Sequence, residues 1–332
     1  MTRCAVVGAG AWGTALADLL AFNGHDVLLW AREEDVVASV NERHMNDRFL
    51  AGHGLTPSLR ATGSMDEALA NADLVTYVAP SHVLRLVAQQ GKRSVKPSAT
   101  LVVATKGIER GTLALMTDVI EQELAGRPVV ALSGPSFAAE VVASQPTAVV
   151  VASASSAAAE RAQDAFSSAV FRAYTHTDVI GVELGGSLKN VMAVATGIAE
   201  GLGLGYNSRA ALITRGLAEM IRLGAALGAQ AQTFAGLAGI GDLVLTCTGA
   251  LSRNRALGMD IGKGKTLDEA LAGRETVAEG VVTAQSALAL AQRAGVEMPI
   301  VEAVHRTLFE GYEPRRAILD LMGRELRPEQ DR

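Results

Sequence analysis

The stretch GAGAWG at residues 8–13 constrains this chain more than any other. It is a GxGxxG pattern that directly follows the apolar run CAVVGA (4–9) and opens the helical pattern GTALADLLAFNG. In that setting Gly8 permits a tight turn and Gly10 lets the backbone approach a pyrophosphate. Gly13 allows close helix–strand packing, and the helix N-terminus attracts the negative charge. Strand, turn and helix in this order make the pattern a dinucleotide-binding fingerprint, where the glycines alone would be weak. The second strand of such a unit usually ends on an acid that binds the ribose 2′-hydroxyl. Here DVLLWA (26–31) is followed by Arg32, a guanidinium able to bind a 2′-phosphate bidentately where a carboxylate would repel it. NADP(H) is the preferred cofactor on this reading. Glu33 and Glu34 follow at once, so NAD(H) stays possible.

The first half of the chain continues the rhythm. LVTYVA (74–79), TLVVAT (100–105), VVALSG (129–134) and AVVVAS (148–153) read as buried strands, with VFRAYT (170–175) at an edge. Helical patterns between several of them imply right-handed crossovers and a mostly parallel sheet. The Ala-rich ASASSAAAERAQ (152–163) favours helix over linker. From about residue 180 the strands stop. VELGGSLKNVMAVATGIAEGL, SRAALITRGLAEMIRLGAALG, TLDEALAGR, VVTAQSALALAQRAG and VEAVHRTLFEG all carry helical periodicity. The expected architecture is an α/β Rossmann-type domain over 1–180 followed by an all-α substrate-binding domain over 181–332, with the seam near 176–180; 332 residues is too long for one small core.

Composition excludes several classes. Hydrophobic content of 49% with 20% charge marks an ordered globular protein, and a net charge of −5 argues against nucleic acid or an anionic membrane as partner. Any bound anion must be held by a local site. Cys4 and Cys247 form no disulfide framework, and the six histidines show no metal-ligand spacing; no metal is expected and a reducing cytoplasm fits. The apolar run after Arg3 superficially resembles a secretion signal, but its glycines and Asp18 fit the nucleotide turn better. No stretch supplies the ~20 apolar residues of a membrane-spanning helix.

Ligands of open parallel sheets sit beyond the carboxyl ends of the strands. VAPSH (78–82) places a Pro-Ser turn there, Lys106 follows TLVVAT, and Gly134, Pro135 and Ser136 stand between a strand and a helix, where free N–H groups could receive an anion. Lys106 also reads as a surface-loop lysine. In the helical half a lone Asp242 precedes SRNR (252–255), where Ser252 can cap a helix and Arg253 and Asn254 can bind phosphate, or merely form a solvated pair. The sharpest question is Lys189, the one charge between Glu183 and Glu200. An ammonium on an apolar helix must either snorkel to solvent or find partners at the wall of a site. Gly185, Gly186, Met192, Ala193 and Thr196 share its face, and these small neighbours leave room for a substrate beside the amine.

GAGAWGTALA, ATKG, GPSFAAEV, LKNVMAVATGI, GLAGIGDLVLTCT, LSRNRALG and VAEGVVTA together, spread over residues 4–312, resemble the bacterial NAD(P)-dependent sn-glycerol-3-phosphate dehydrogenase family. The resemblance implies a cytoplasmic homodimer that reduces dihydroxyacetone phosphate to sn-glycerol 3-phosphate for phospholipid synthesis. It implies Lys189 as proton donor and acceptor, and Lys106 touching both substrate and cofactor. Gly134, Ser136, Asp242, Ser252, Arg253 and Asn254 would line the substrate site. Ala11, Trp12, Arg32, Ala138, Arg253, Val277 and Glu279 would contact the dinucleotide, with the glycine turn. Two departures stand out: FLAG (49–52) where family members often read YLPG, which bears on Phe49 in the cofactor pocket, and TCTG (246–249) for TCTS.

Two other readings compete. A 3-hydroxy acid dehydrogenase of the same two-domain plan would lack the ATKG, GPSFAAE and LSRNR set, and a non-catalytic dinucleotide-sensing protein would have no need of Lys189, Lys106 or SRNR.

Overall fold

The computed structural model describes every residue except 274–277, 327 and 330–332, so Val277 lies outside the described residues. Eight strands form one sheet: β1 (Arg3–Val7), β2 (Asp26–Trp30), β3 (Arg60–Thr62), β4 (Leu74–Tyr77), β5 (Thr100–Val103), β6 (Val129–Ser133), β7 (Thr147–Ala152) and β8 (Phe171–His176). Their spatial order is β3-β2-β1-β4-β5-β6-β7-β8. Every pair is parallel except β6 with β7. β8 lies at the edge, as its alternating pattern implies. β3 was not legible: three residues carry no periodicity, and its pairing with β2 makes it a strand.

The chain runs from β1 to β2 on one side, while β4 flanks β1 on the other. β1 is therefore the switch point of the sheet, where a crevice opens beyond the carboxyl ends of the strands. GAGAWG occupies it. β4, β5 and β6 are buried along their whole length, as strands covered on both faces must be.

After β8 the chain is helical. Asp178 accepts a hydrogen bond from the Gly181 N–H (2.9 Å) and caps the helix Val179–Gly201, which is buried from Gly181 to Ala199. Such burial needs partners that come very close, and glycines supply them. A Cβ on Gly197 would lie 2.1 Å from the Arg255 carbonyl oxygen, and one on Gly258 would lie 2.2 Å from that of Val194. Gly201 and Gly262 repeat the arrangement one turn on. The central helix and the helix Arg253–Gly262 thus meet backbone to backbone, which carries the SRNR segment to the side of Lys189. The remaining long helices, Tyr206–Ala226, Glu279–Ala294 and Pro299–Phe309, pack around the same core. The Ala-rich segment forms a helix over Ser156–Phe166, capped by Ser155. Among the described residues no single helix is long and apolar enough to cross a membrane.

Buried carboxylates tie the two halves together. Glu183 on the central helix accepts from the Thr117 N–H (2.9 Å) and the Thr117 hydroxyl, at the first turn of the helix Met116–Glu123. Its own burial, against the lowering effect of those bonds, pushes its pKa up to about 7.

Candidate active site

The glycine turn has the geometry a pyrophosphate needs. Gly8 adopts φ +115°, in the region that favours glycine, and a Cβ on Gly13 would sit 1.8 Å from the Gly8 carbonyl oxygen. Gly10 faces open space, with nothing within 4 Å of an added Cβ. It stands directly before the helix Ala11–Phe22, whose N-terminus points at that space. Ala11, Trp12, Phe49 and Ala138 pack against one apolar cluster on the same side of the sheet. Open backbone at a helix N-terminus with apolar walls fits a dinucleotide. Arg32 follows β2 with its side chain 83% exposed, paired among the described residues with Glu33 (2.9 Å). An exposed pair of this kind is weak and exchanges readily for a phosphate.

Lys189 does not snorkel. It is 7% exposed and donates to the Asp242 carboxylate and to the Thr246 hydroxyl (2.9 Å). Lys106 donates to the other Asp242 oxygen (2.7 Å) and to the Gly134 carbonyl (3.3 Å). One fully buried carboxylate therefore joins two ammonium groups, one from each half of the chain. Burial lowers the Lys189 pKa to about 7; Asp242 opposes that effect and Lys106 adds to it. Burial would raise the Asp242 pKa, but the two ammonium groups outweigh it and keep the carboxyl below its ordinary range.

The glycines beside Lys189 play a different part from the expected one. A Cβ on Gly185 would lie 2.2 Å from the Ala238 carbonyl oxygen, and one on Gly186 would lie 2.4 Å from the Ser133 hydroxyl. Their bare faces are covered by protein. They bring β6 and the Gly-rich segment before Asp242 against the central helix; they do not leave room for a substrate.

Ser136 donates to the Gly134 carbonyl (3.0 Å) beside Lys106. Ser252 caps the helix Arg253–Gly262 by accepting from the Arg255 N–H (3.2 Å). Of the two arginines, Arg255 is committed to Glu200 (2.6 Å). Arg253 is reached by solvent although protein surrounds much of it; this crowding lowers its pKa, against the pull of Glu279. Asn254 donates to Asn190 (2.9 Å) and accepts from the Gly280 N–H (3.0 Å), so its amide braces three helices. Glu279 accepts from the Ser81 hydroxyl (2.7 Å) in the turn after β4, bridging helical half and sheet. Burial raises its pKa, partly offset by Ser81.

Sequence reasoning missed Thr246 and Ser187, gave Asn190 no role, and marked Ser81 only as part of the Pro-Ser turn after β4. Thr246 stands four residues after Asp242, on the same helical face, so that spacing alone could have flagged it. Ser187 accepts from the Gly107 N–H (2.9 Å) and donates to its carbonyl (3.1 Å), clamping the loop after Lys106 to the central helix. Nothing in the local sequence marks that contact. Cys4 and Cys247 are buried, and burial pushes both thiols up to about 12.

Known proteins share this plan. Residues 3–159 match the family described as NAD-dependent glycerol-3-phosphate dehydrogenase N-terminus, and 178–319 match its C-terminus. The chain is 53% identical over 330 residues, 98% of each chain, to a glycerol-3-phosphate dehydrogenase (NAD(P)+) of Geobacter sulfurreducens. It is 54% identical over 331 residues, 98% of each chain, to the protein so named from Geobacter metallireducens. The crystal structure of glycerol-3-phosphate dehydrogenase from Coxiella burnetii superposes with a TM-score of 0.94 at 40% identity, covering 97% of this chain and 99% of that one. D-mandelate dehydrogenase with NADH, at 15% identity and a TM-score of 0.61, shares the fold alone. With both halves matched in order and the relatives covered nearly end to end, this chain belongs to the NAD-dependent glycerol-3-phosphate dehydrogenase family.

Proposed function

We propose that this chain interconverts dihydroxyacetone phosphate and sn-glycerol 3-phosphate with NAD(P)H, and that Lys189 carries the proton. The observation that carries the reading is the Lys106–Asp242–Lys189 bridge, which holds a buried amine of lowered pKa at the junction of sheet and helices. A bound nicotinamide supplies the hydride. Lys189 donates a proton to the carbonyl oxygen as negative charge grows on it, and its positive charge stabilises that oxygen. In the oxidative direction the neutral amine removes the hydroxyl proton. Asp242 holds both amines in place. Lys106 follows β5 and donates to the Gly134 carbonyl just after β6, which supports its assignment to both cofactor and substrate, with Gly134 and Ser136 at the same edge. Arg253, which has no ion-pair partner among the described residues, takes the phosphate at the N-terminus of the helix capped by Ser252, with Asn254 bracing it from behind.

Residues 1–180 serve as the dinucleotide-binding unit and 181–332 supply most of the substrate site. Gly8, Gly10 and Gly13 receive the pyrophosphate, while Ala11, Trp12, Ala138, Arg253 and Glu279 contact the dinucleotide. Val277, outside the described residues, is assigned to cofactor contact from the family resemblance alone. Arg32 favours NADP(H) over NAD(H). A cytoplasmic homodimer completes the reading. The test is absorbance-monitored NADPH and NADH oxidation with dihydroxyacetone phosphate set against 3-hydroxy-acid-derived ketones. Lys189→Ala should cut turnover by about 10²–10⁴ while dinucleotide binding stays nearly intact. Near-normal turnover in that variant removes Lys189 from the chemistry, and a preference for another ketone removes the substrate assignment.

A further inference from the structure

The loop after the helix Glu34–Arg43 contains a side chain whose amide nitrogen is spent on the nucleotide turn and the helix that the turn opens. Asn46 is fully buried. Its Nδ2 donates to the Ala9 carbonyl (2.9 Å) and to the Thr14 hydroxyl (2.7 Å), and its Oδ1 accepts from the Phe49 N–H (3.1 Å). The Thr14 hydroxyl donates in turn to the same Ala9 carbonyl (3.2 Å). This pattern fixes which end of the amide is which, since a carbonyl can only accept and an N–H can only donate. The Asn46 main-chain carbonyl accepts from Leu50 (2.9 Å), so the residue also closes the turn that presents Phe49.

Ala9 is the middle of the glycine turn. A trans peptide is planar, with its C=O and N–H pointing in opposite directions. Holding the Ala9 oxygen on the Asn46 side therefore aims the Gly10 N–H away from it. No described peptide bond is cis, and an added Cβ on Gly10 would meet only open space. We infer that Asn46 is a positioning residue for the dinucleotide, orienting the Gly10 N–H toward the pyrophosphate and setting Phe49 against the cofactor wall. A glycine turn is intrinsically mobile, and a buried amide with three bonds removes that freedom before the ligand arrives. The inference rests on the dinucleotide-binding reading of the turn.

The test is NADPH binding to the full-length enzyme without substrate, followed by fluorescence titration, alongside steady-state kinetics and thermal unfolding. Asn46→Ala should weaken NADPH binding by about tenfold or more, the scale of buried acceptors losing their donor. The Michaelis constant for dihydroxyacetone phosphate and the turnover at saturating NADPH should stay within about twofold, a split that general destabilisation would not give. Asn46→Asp keeps the Phe49 bond but, as a carboxylate, cannot donate, and should weaken binding at least as much at neutral pH. Thr14→Val, a milder change should the others fold poorly, removes one branch of the network and should show a smaller loss in the same sense. Wild-type NADPH affinity in any folded Asn46 variant, or losses spread equally over both substrates, overturns the inference. Failure of the unmodified enzyme to bind either NADPH or NADH would instead overturn the dinucleotide reading itself.

Discussion

Replacing Asp242 by Asn tests the electrostatics of the site directly. Asn has nearly the same shape, so the perturbation is the loss of one buried negative charge placed between Lys106 and Lys189. In the native site burial is the largest influence on Lys189 and lowers its pKa, Lys106 lowers it further, and Asp242 counteracts both. Removing the carboxylate leaves only the two lowering influences. A unit charge pair at ~4 Å in an effective dielectric near 20 is worth about 4 kcal/mol, and 1.36 kcal/mol corresponds to one pH unit. Against a native value of about 7, that is enough to leave the variant amine without its proton at neutral pH. Reduction requires the protonated amine, so native activity in that direction should fall as pH rises through about 7, while oxidation, which needs the neutral amine, should rise. In Asp242→Asn the reductive limb should move to lower pH, and the rate at pH 7 should drop by about 10²–10⁴. The assay is the pH dependence of NADPH oxidation with saturating dihydroxyacetone phosphate, with NADPH affinity and thermal unfolding as controls. A variant with the native pH profile would refute the coupling between Asp242 and the proton donor.

Three further outcomes follow from other parts of the structure. Arg253→Ala should raise the Michaelis constant for the phosphate ester ten- to a hundredfold, the scale of about 1.5–3 kcal/mol for a charged hydrogen bond; an unchanged constant would place the phosphate elsewhere. Gly258→Ala forces a methyl to within 2.2 Å of the Val194 carbonyl, so urea unfolding should show a loss of about 1–3 kcal/mol, and native stability would mean the helix pair can separate freely. Glu183, raised to about 7 by burial, is held neutral in the fold but ionises near 4.5 in the unfolded chain. Its contribution to stability is therefore complete below about pH 4.5 and lost as pH rises through about 7. Glu183→Gln should flatten that part of the stability–pH curve, measured as unfolding midpoints between pH 5 and about 8. Glu219, also raised to about 7 by burial, would leave a remaining slope.

The sequence by itself determined whatever depends on near neighbours. Strands were readable from short β-branched runs, helices from their period, and the nucleotide turn from three glycines between a strand and a helix. Lys189 announced itself as the single charge in a long apolar stretch, because burying an ammonium demands a reason. Its partners were not readable in the same way. Asp242 is 53 positions away and Thr246 is 57, and they reach the amine only because glycine contacts let neighbouring backbones touch the central helix. Gly185 and Gly186 were misread for that reason: a missing side chain looks like free space in a sequence, and only the packed chain reveals which atoms occupy it. β3, too short to carry a period, and Asn46, polar in a polar loop, are of the same kind. Local pattern dictates each element, whereas the distances that decide which polar groups meet come from packing between elements far apart in the chain.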